Sequence, residues 1–421
     1  MRPSLLMLLA TTAFVSAVQP VLAADPAAVA KTYADIAAAG YDDSLITAKA
    51  LQAAVDALIA TPSDDSLKAA RAAWIAARPA YMQTEAFRFG NAAVDDWEGK
   101  VNAWPLDEGL IDYVDPSYGK SEENDLATLN VIATPKFTIS GVEVDASTIT
   151  PELISGTLQE AGGVEANVAS GYHAIEFLLW GQDLNGTGPG AGNRPFTDYV
   201  QGDGCTGGNC DRRAEYLKAA TNLLVSDLTE MAGQWATGGA ARAVIEKDPK
   251  AALSAILTGM GSLSYGEVAG QRMRLGLMLN DPEEEHDCFS DNTAASHYYD
   301  GLGIQNVYLG SYTRVDGSVV SGPSISELVA AADPAVDTQL KAELAASVAA
   351  LGAIKAASDG GMAYDQMLAA GNKQGEALVM AGVNALVTQT KSVERAITAL
   401  GLTGTSIEGS DSLDNPGAVF Q

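Results

Sequence analysis

The sequence predicts an all-α protein made of two helical-bundle domains with short β-hairpin insertions. Three observations point there. Apolar residues recur at steps of three and four through several long segments. Glycine is abundant and aromatic residues are only 6% of the chain, a composition suited to helices that pack closely on small residues. At 421 residues the chain exceeds what one simple core fills, and two domains are expected.

Taken in order, residues 1–23 read as a secretory signal. Arg2 gives a positive start, Leu5 to Val18 is apolar, and Val21-Leu22-Ala23 supplies small residues for cleavage after Ala23. No later segment has the apolar length to cross a bilayer, so the mature chain is expected in the periplasm or associated with the outer membrane. Residues 26–39 and 44–60 read as two short helices broken at Gly40. A longer helix is expected over 64–89, opened by Thr61-Pro62-Ser63 and bent at Pro79. Its inward stripe runs Leu67, Ala70, Trp74, Ala77, Tyr81, and then Glu85 places a carboxylate where the pattern calls for an apolar residue. A hairpin is expected around 136–144, and a helix over 162–180 capped by Gly181.

The N-terminal bundle is drawn as 24–200 and the C-terminal bundle as 201–421. The second bundle is expected to hold helices at 212–235, 250–280, 324–357 and 374–401, and a loop-rich insertion over 281–323 with a hairpin near 315–319. The tail beyond 401 is polar and expected to be loosely ordered. Cys205 and Cys210 bracket a Gly-rich loop and are expected to form a disulfide after export, leaving Cys288 over. No second cysteine pair is present to complete a thiolate metal site.

The net charge of −28 repels phosphate backbones, which argues against a nucleic-acid partner. It draws cations to any cleft, although much of it serves solubility. Histidine is scarce: His173, His286 and His297 are the full set. In Gly171-Tyr172-His173-Ala174-Ile175-Glu176 the imidazole and carboxylate are spaced i, i+3, so on a helix both project from one face and can converge on a cation. The same spacing serves a buried hydrogen-bonded pair equally well. Glu283 and His286 repeat a Glu-x-x-His spacing in an acidic stretch that also reads as a solvated loop. The zinc-protease His-Glu-x-x-His pattern is absent because Ala174 follows His173, and Phe177 rules out its inverted form. Glu267 and Arg272 interrupt an apolar helix and fit an internal ion pair.

The 171–176 segment resembles the GxHxxE motif of imelysin-like proteins, in the branch of iron-regulated protein A. Trp74 to Tyr81 with Glu85, Asn102-Ala103-Trp104-Pro105-Leu106-Asp107, and Glu284 to Thr293 followed by Gly303 to Tyr308 resemble further blocks of that family, in the same order. The resemblance implies two helical bundles with the His/Glu site near their interface, and a role in iron uptake. It implies His173 and Glu176 as metal ligands directly. Glu85 and His286 also match family positions, and we read them as further ligands. The family block usually continues Asn-Thr-His; here Ala294 follows Thr293, with His297 three residues on.

The function expected is therefore binding of iron, or of an iron-bearing ligand, for delivery to a membrane iron-transport partner. A zinc-dependent peptidase of the imelysin type is the alternative. Haem held by His173 is another, and a structural surface protein with a buried His173/Glu176 pair is the last.

Overall fold

The computed structural model describes residues 24–119, 121 and 124–420; the signal sequence expected at 1–23 lies outside them. The fold is helical, with two small two-stranded sheets. No helix among the described residues is long and apolar enough to cross a membrane.

Helix α1 (Pro26–Ala60) is one continuous element, not two. Asp25 caps it by accepting from the Ala27 amide, and Pro26 sits at the first turn, where its missing N–H costs nothing. Gly40 does not break it. A Cβ at that position would stand 2.9 Å from the Thr84 methyl, so the glycine permits a close approach. Helix α2 (Asp64–Met82) opens with a capping box in which Ser63 and Ser66 satisfy each other's amides. It passes through Pro79 and stops seven residues short of the expected end, giving way to a 3₁₀ turn at Glu85–Phe87. The expected stripe of Leu67, Ala70, Trp74, Ala77 and Tyr81 is buried.

A hairpin of β1 (Lys136–Ile139) and β2 (Val142–Asp145) pairs Lys136 with Asp145 and Ile139 with Val142. Helix α3 (Gly171–Trp180) begins nine residues later than expected and is buried on every side. Its start is set by Gly171, whose φ of +79° suits only glycine, and a Cβ there would meet the Val101 carbonyl oxygen at 2.4 Å. Gly181, also at positive φ, ends it. The chain then forms α4 (Cys210–Trp235), α5 (Ala240–Lys247) and α6 (Pro249–Ser262). Cys205 and Cys210 are joined by a disulfide, and Cys288 is a buried free thiol. Beyond α6 the helix continues as a π-helical segment, Leu263–Arg274, into a last turn at Leu275–Leu279.

Where a loop-rich insertion was expected, helix α7 (Thr293–Leu309) runs through the middle of it. Gly303 lies on the backbone of Gln83, at 2.5 Å from the carbonyl oxygen to the position a Cβ would take. Again a glycine marks contact between chain segments, not a turn. The second hairpin pairs β3 (Ser311–Thr313) with β4 (Val319–Ser321). The helix expected over 324–357 is two, α8 (Ile325–Ala332) and α9 (Pro334–Asp359), divided at Asp333, which caps the second. Helix α10 (Lys373–Ala399) follows. The tail is held in place: the Glu408 amide donates to Ser262 Oγ at 3.0 Å, and Ser412 Oγ to the Gly270 carbonyl at 2.9 Å.

Helices α1, α2, α3 and α4 form one bundle; the π segment, α7, α9 and α10 form the other. A division at residue 200 cuts across this packing, because α4 lies along α1 and α3. Helix α7 packs on α2 as well as on α9, so the seam between bundles runs beside α2, α3 and the strand of chain that leads into α7.

Candidate metal centre

The centre assembles where α2 and α3 meet the segment 285–290. Helix α3 brings in His173 and Glu176, which are one turn apart and fully buried. His173 Nδ1 stands 3.1 Å from Glu176 Oε2. The segment before α7 brings in His286 and Asp287, and the two imidazole rings meet edge to face at 4.6 Å. His173, His286 and Asp287 each offer a ligand atom, and these atoms lie within 4.8 Å of one another. Among the described residues no other group of three metal-ligating side chains converges this closely.

Each member is fixed from outside. Arg78 on α2 donates to both oxygens of Asp287, from Nη2 at 2.7 Å and from Nε at 3.2 Å. Asn292 and Ser296 also donate to Asp287 Oδ2, and the Asp287 amide donates to the Thr293 hydroxyl. The other oxygen of Glu176 accepts from the Ser290 amide at 2.9 Å and the Ser290 hydroxyl at 2.6 Å. Trp104 closes the site, its ring centre 5.1 Å from that of His173. Such supports hold ligand rings and carboxylates in one orientation.

Burial sets the protonation states. It drives His173 down to about 3, helped by the nearby Arg78 cation. His286 is also held well below its ordinary value, by burial and then by Arg272. Both rings are therefore neutral at physiological pH and carry a free lone pair. Burial lifts Glu176 well above the usual carboxylate range, and the charge of Asp287 adds to the effect. Burial acts on Asp287 in the same sense, but the Arg78 guanidinium more than offsets it and holds that carboxyl below its ordinary value.

Two nitrogens, His173 Nε2 and His286 Nδ1, are buried without any hydrogen-bond partner. Buried polar atoms are seldom left so, and neutral imidazoles with unused lone pairs beside carboxylates are the donor set of a transition-metal ion. The residues present fit such an ion. A cleft of about 470 Å³ opens onto His286 and Trp104. Arg88, Arg272 and five glutamates, Glu98, Glu160, Glu165, Glu267 and Glu284, line it, so it is more acidic than basic.

The four residues expected as ligands are therefore divided. His173, Glu176 and His286 come together. Glu85 stands apart: its Oε2 accepts from Arg272 Nη2 at 3.1 Å, and its Oε1 from Asn102 Nδ2 at 3.5 Å. It reaches the centre indirectly, through Asn102, which accepts from Arg78 at 2.7 Å, and through Arg272, whose charge acts on His286. Glu267 and Arg272 do pair, at 2.8 Å. His297 is buried on α7 against Tyr364, with neither ring nitrogen bonded, and is outside the converging group. Sequence reasoning missed Asp287, which lies in an acidic run that gave no reason to prefer it over its neighbours. It also missed Arg78, although a cation between Trp74 and Tyr81 on an inward stripe is the same kind of signal that singled out Glu85.

Fold and centre together define a two-bundle helical protein with a buried histidine–carboxylate site at the seam. The Imelysin family model (Peptidase M75) matches residues 37–393, and the chain belongs to that family. A short stretch of 61 residues is 39% identical to iron-regulated protein A of Synechococcus elongatus, covering 14% of this chain and 17% of that protein. Two solved structures share the fold. An iron-regulated protein A precursor from Parabacteroides distasonis matches with a TM-score of 0.65 at 19% identity, over 90% of this chain and 97% of that one. An imelysin-like protein from Psychrobacter arcticum matches with a TM-score of 0.56 at 16% identity, over 90% and 98%.

Proposed function

We propose that this chain binds iron as a cation, at a centre formed by His173, His286 and Asp287 with Glu176 beside them, and serves iron uptake as an exported protein. The observation that carries the reading is the pair of neutral, unpartnered imidazole nitrogens set against two buried carboxylates. The acidic rim of the cleft favours a bare cation over an anionic iron chelate. His173 is enclosed by Trp104 and His286, and this leaves no open face for a porphyrin, so haem forms no part of the reading. An iron-loaded protein of this kind would hand its ion to a membrane transport partner. The likeness to iron-regulated protein A supports the link to iron in general terms.

The test is metal content and iron titration of wild type, His173→Ala and His286→Ala. One iron per chain in wild type, lost in both variants with the fold intact, is expected. Equal iron binding by all three proteins would overturn the assignment.

A zinc peptidase is the second reading, because two histidines and a carboxylate are also the three-ligand set of catalytic zinc. Glu176 would then be the candidate base for a metal-bound water. Cleavage of peptides by the zinc-loaded wild type, abolished by His173→Ala, would favour it; no cleavage by the zinc-loaded protein would remove it.

A further inference from the structure

On the far side of the segment that carries His286 and Asp287 lies a second, smaller cavity that the histidine centre does not use. It holds about 10 Å³, room for a single water-sized particle. Five carboxylates, those of Glu108, Asp183, Glu283, Glu285 and Asp365, line it, and among the described residues no Lys, Arg or His is in its walls. They come from separate parts of the chain: the turn at Glu108–Ile111, the loop after α3, the segment before α7, and the short helix Tyr364–Leu368.

Two of these residues are the reason to look further. Glu285 is 1% exposed and Asp365 is 2% exposed, and among the described residues none of their four carboxylate oxygens has a hydrogen-bond partner at full bonding geometry; the Thr293 hydroxyl acts on Glu285 and the Gln366 amide on Asp365 from farther off. A carboxylate taken from water with so little donation in return is costly, and here two face one small space. By contrast, the buried carboxylates of Asp43, Asp112, Asp287 and Glu85 all meet an arginine. Among the described residues no arginine, lysine or histidine pairs with Glu285 or Asp365.

We propose that this pocket is a second cation site, distinct from the histidine centre, that takes a hard divalent cation such as calcium. Five carboxylates against one sulfur, the Cys288 thiol, and no imidazole favour a hard ion over a transition metal. The carboxylates do not bring three donor atoms within 4.8 Å of one another, so binding draws their side chains inward, as the irregular coordination of calcium allows. The proposal does not depend on what the histidine centre binds.

The experiment is calorimetric titration of the metal-stripped chain with calcium chloride at physiological salt, in wild type, Asp365→Asn, Glu285→Gln and His173→Ala. Wild type and His173→Ala are expected to bind one calcium with equal affinity. Asp365→Asn is expected to weaken binding by at least about tenfold. Asp365→Asn keeps the side-chain shape, and far-UV circular dichroism checks its fold. If Glu285→Gln does not fold, Asp183→Asn at the mouth of the pocket replaces it. No stoichiometric calcium in wild type would overturn the proposal, as would undiminished binding in the folded carboxylate variants or loss of calcium in His173→Ala.

Discussion

Arg78 grips Asp287 with two hydrogen bonds, 2.7 and 3.2 Å long, across 209 residues of sequence. The pair is buried, with side-chain exposures of 1% and 0%. It fastens α2 of one bundle to the segment that leads into α7 of the other. Because Asp287 stands next to His286, the contact that holds the bundles together also sets the charge at the candidate metal centre. Without a metal, Arg78 balances Asp287; with one, the cation and the guanidinium share the carboxylate.

Arg78→Met should therefore have two effects of opposite sense. Removing one member of a buried ion pair costs about 3–5 kcal/mol, read as a lower urea midpoint for the metal-free protein. The stabilisation gained on adding metal should be larger than in wild type, because Asp287 is no longer shared. Equal metal-induced shifts in melting temperature would show that Asp287 is not a ligand.

Glu85→Gln separates the expectation from sequence from the observed placement. Arg272 would keep Glu267 and Asp300 as partners, at 2.8 and 3.1 Å, and lose one charged contact. A loss of about 1–3 kcal/mol in stability is expected, with iron affinity nearly unchanged. A collapse of iron binding with the fold intact would return Glu85 to the ligand set.

The sequence was informative where a signal is local and misleading where packing decides. His173 and Glu176 were legible because helical spacing alone puts them on one face. The contact between Arg78 and Asp287 was not, since nothing near either residue names a partner so far along the chain. Glycines were the main source of error. Local pattern makes Gly40 a helix break and Gly303 a loop residue, yet both lie inside helices where a neighbouring segment comes too close for a Cβ. The π segment Leu263–Arg274 left no sequence signal, and it is the element that presents Arg272 to Glu85, Glu267 and Asp300. The tail looked polar and free, but its polar atoms bond Ser262 and Gly270.

Gly303 and Gly352 make a paired test of that lesson. A Cβ at Gly303 meets the Gln83 backbone at 2.5 Å, whereas at Gly352 the nearest atom is a tyrosine ring carbon at 3.4 Å. Gly303→Ala should lose about 1–3 kcal/mol through overpacking. Gly352→Ala should gain up to about 1 kcal/mol from helix propensity. Thermal unfolding would measure both, and the same sign for the two would contradict the packing argument.

His297 predicts a pH dependence whose sign follows from burial. The ring is wholly buried without a hydrogen bond, and burial, aided by Arg272, drives it from 6.5 down to about 3. The folded protein therefore keeps His297 neutral while the unfolded chain takes up a proton below pH 6.5. Stability contributed by the neutral ring is complete above that pH and is lost as pH falls toward 3, at about 1.4 kcal/mol per pH unit. His297→Phe keeps a flat ring against Tyr364, 5.0 Å away in the native packing, and has no proton to gain. The slope of unfolding free energy against pH between 6 and 4 should accordingly be shallower in His297→Phe by about that amount. His173 and His286 are buried in the same way, so the variant should keep the part of the slope that they supply. Denaturant titrations of the metal-free protein across that range provide the measurement, and identical slopes in wild type and variant would mean that His297 is charged, or solvated, in the folded state.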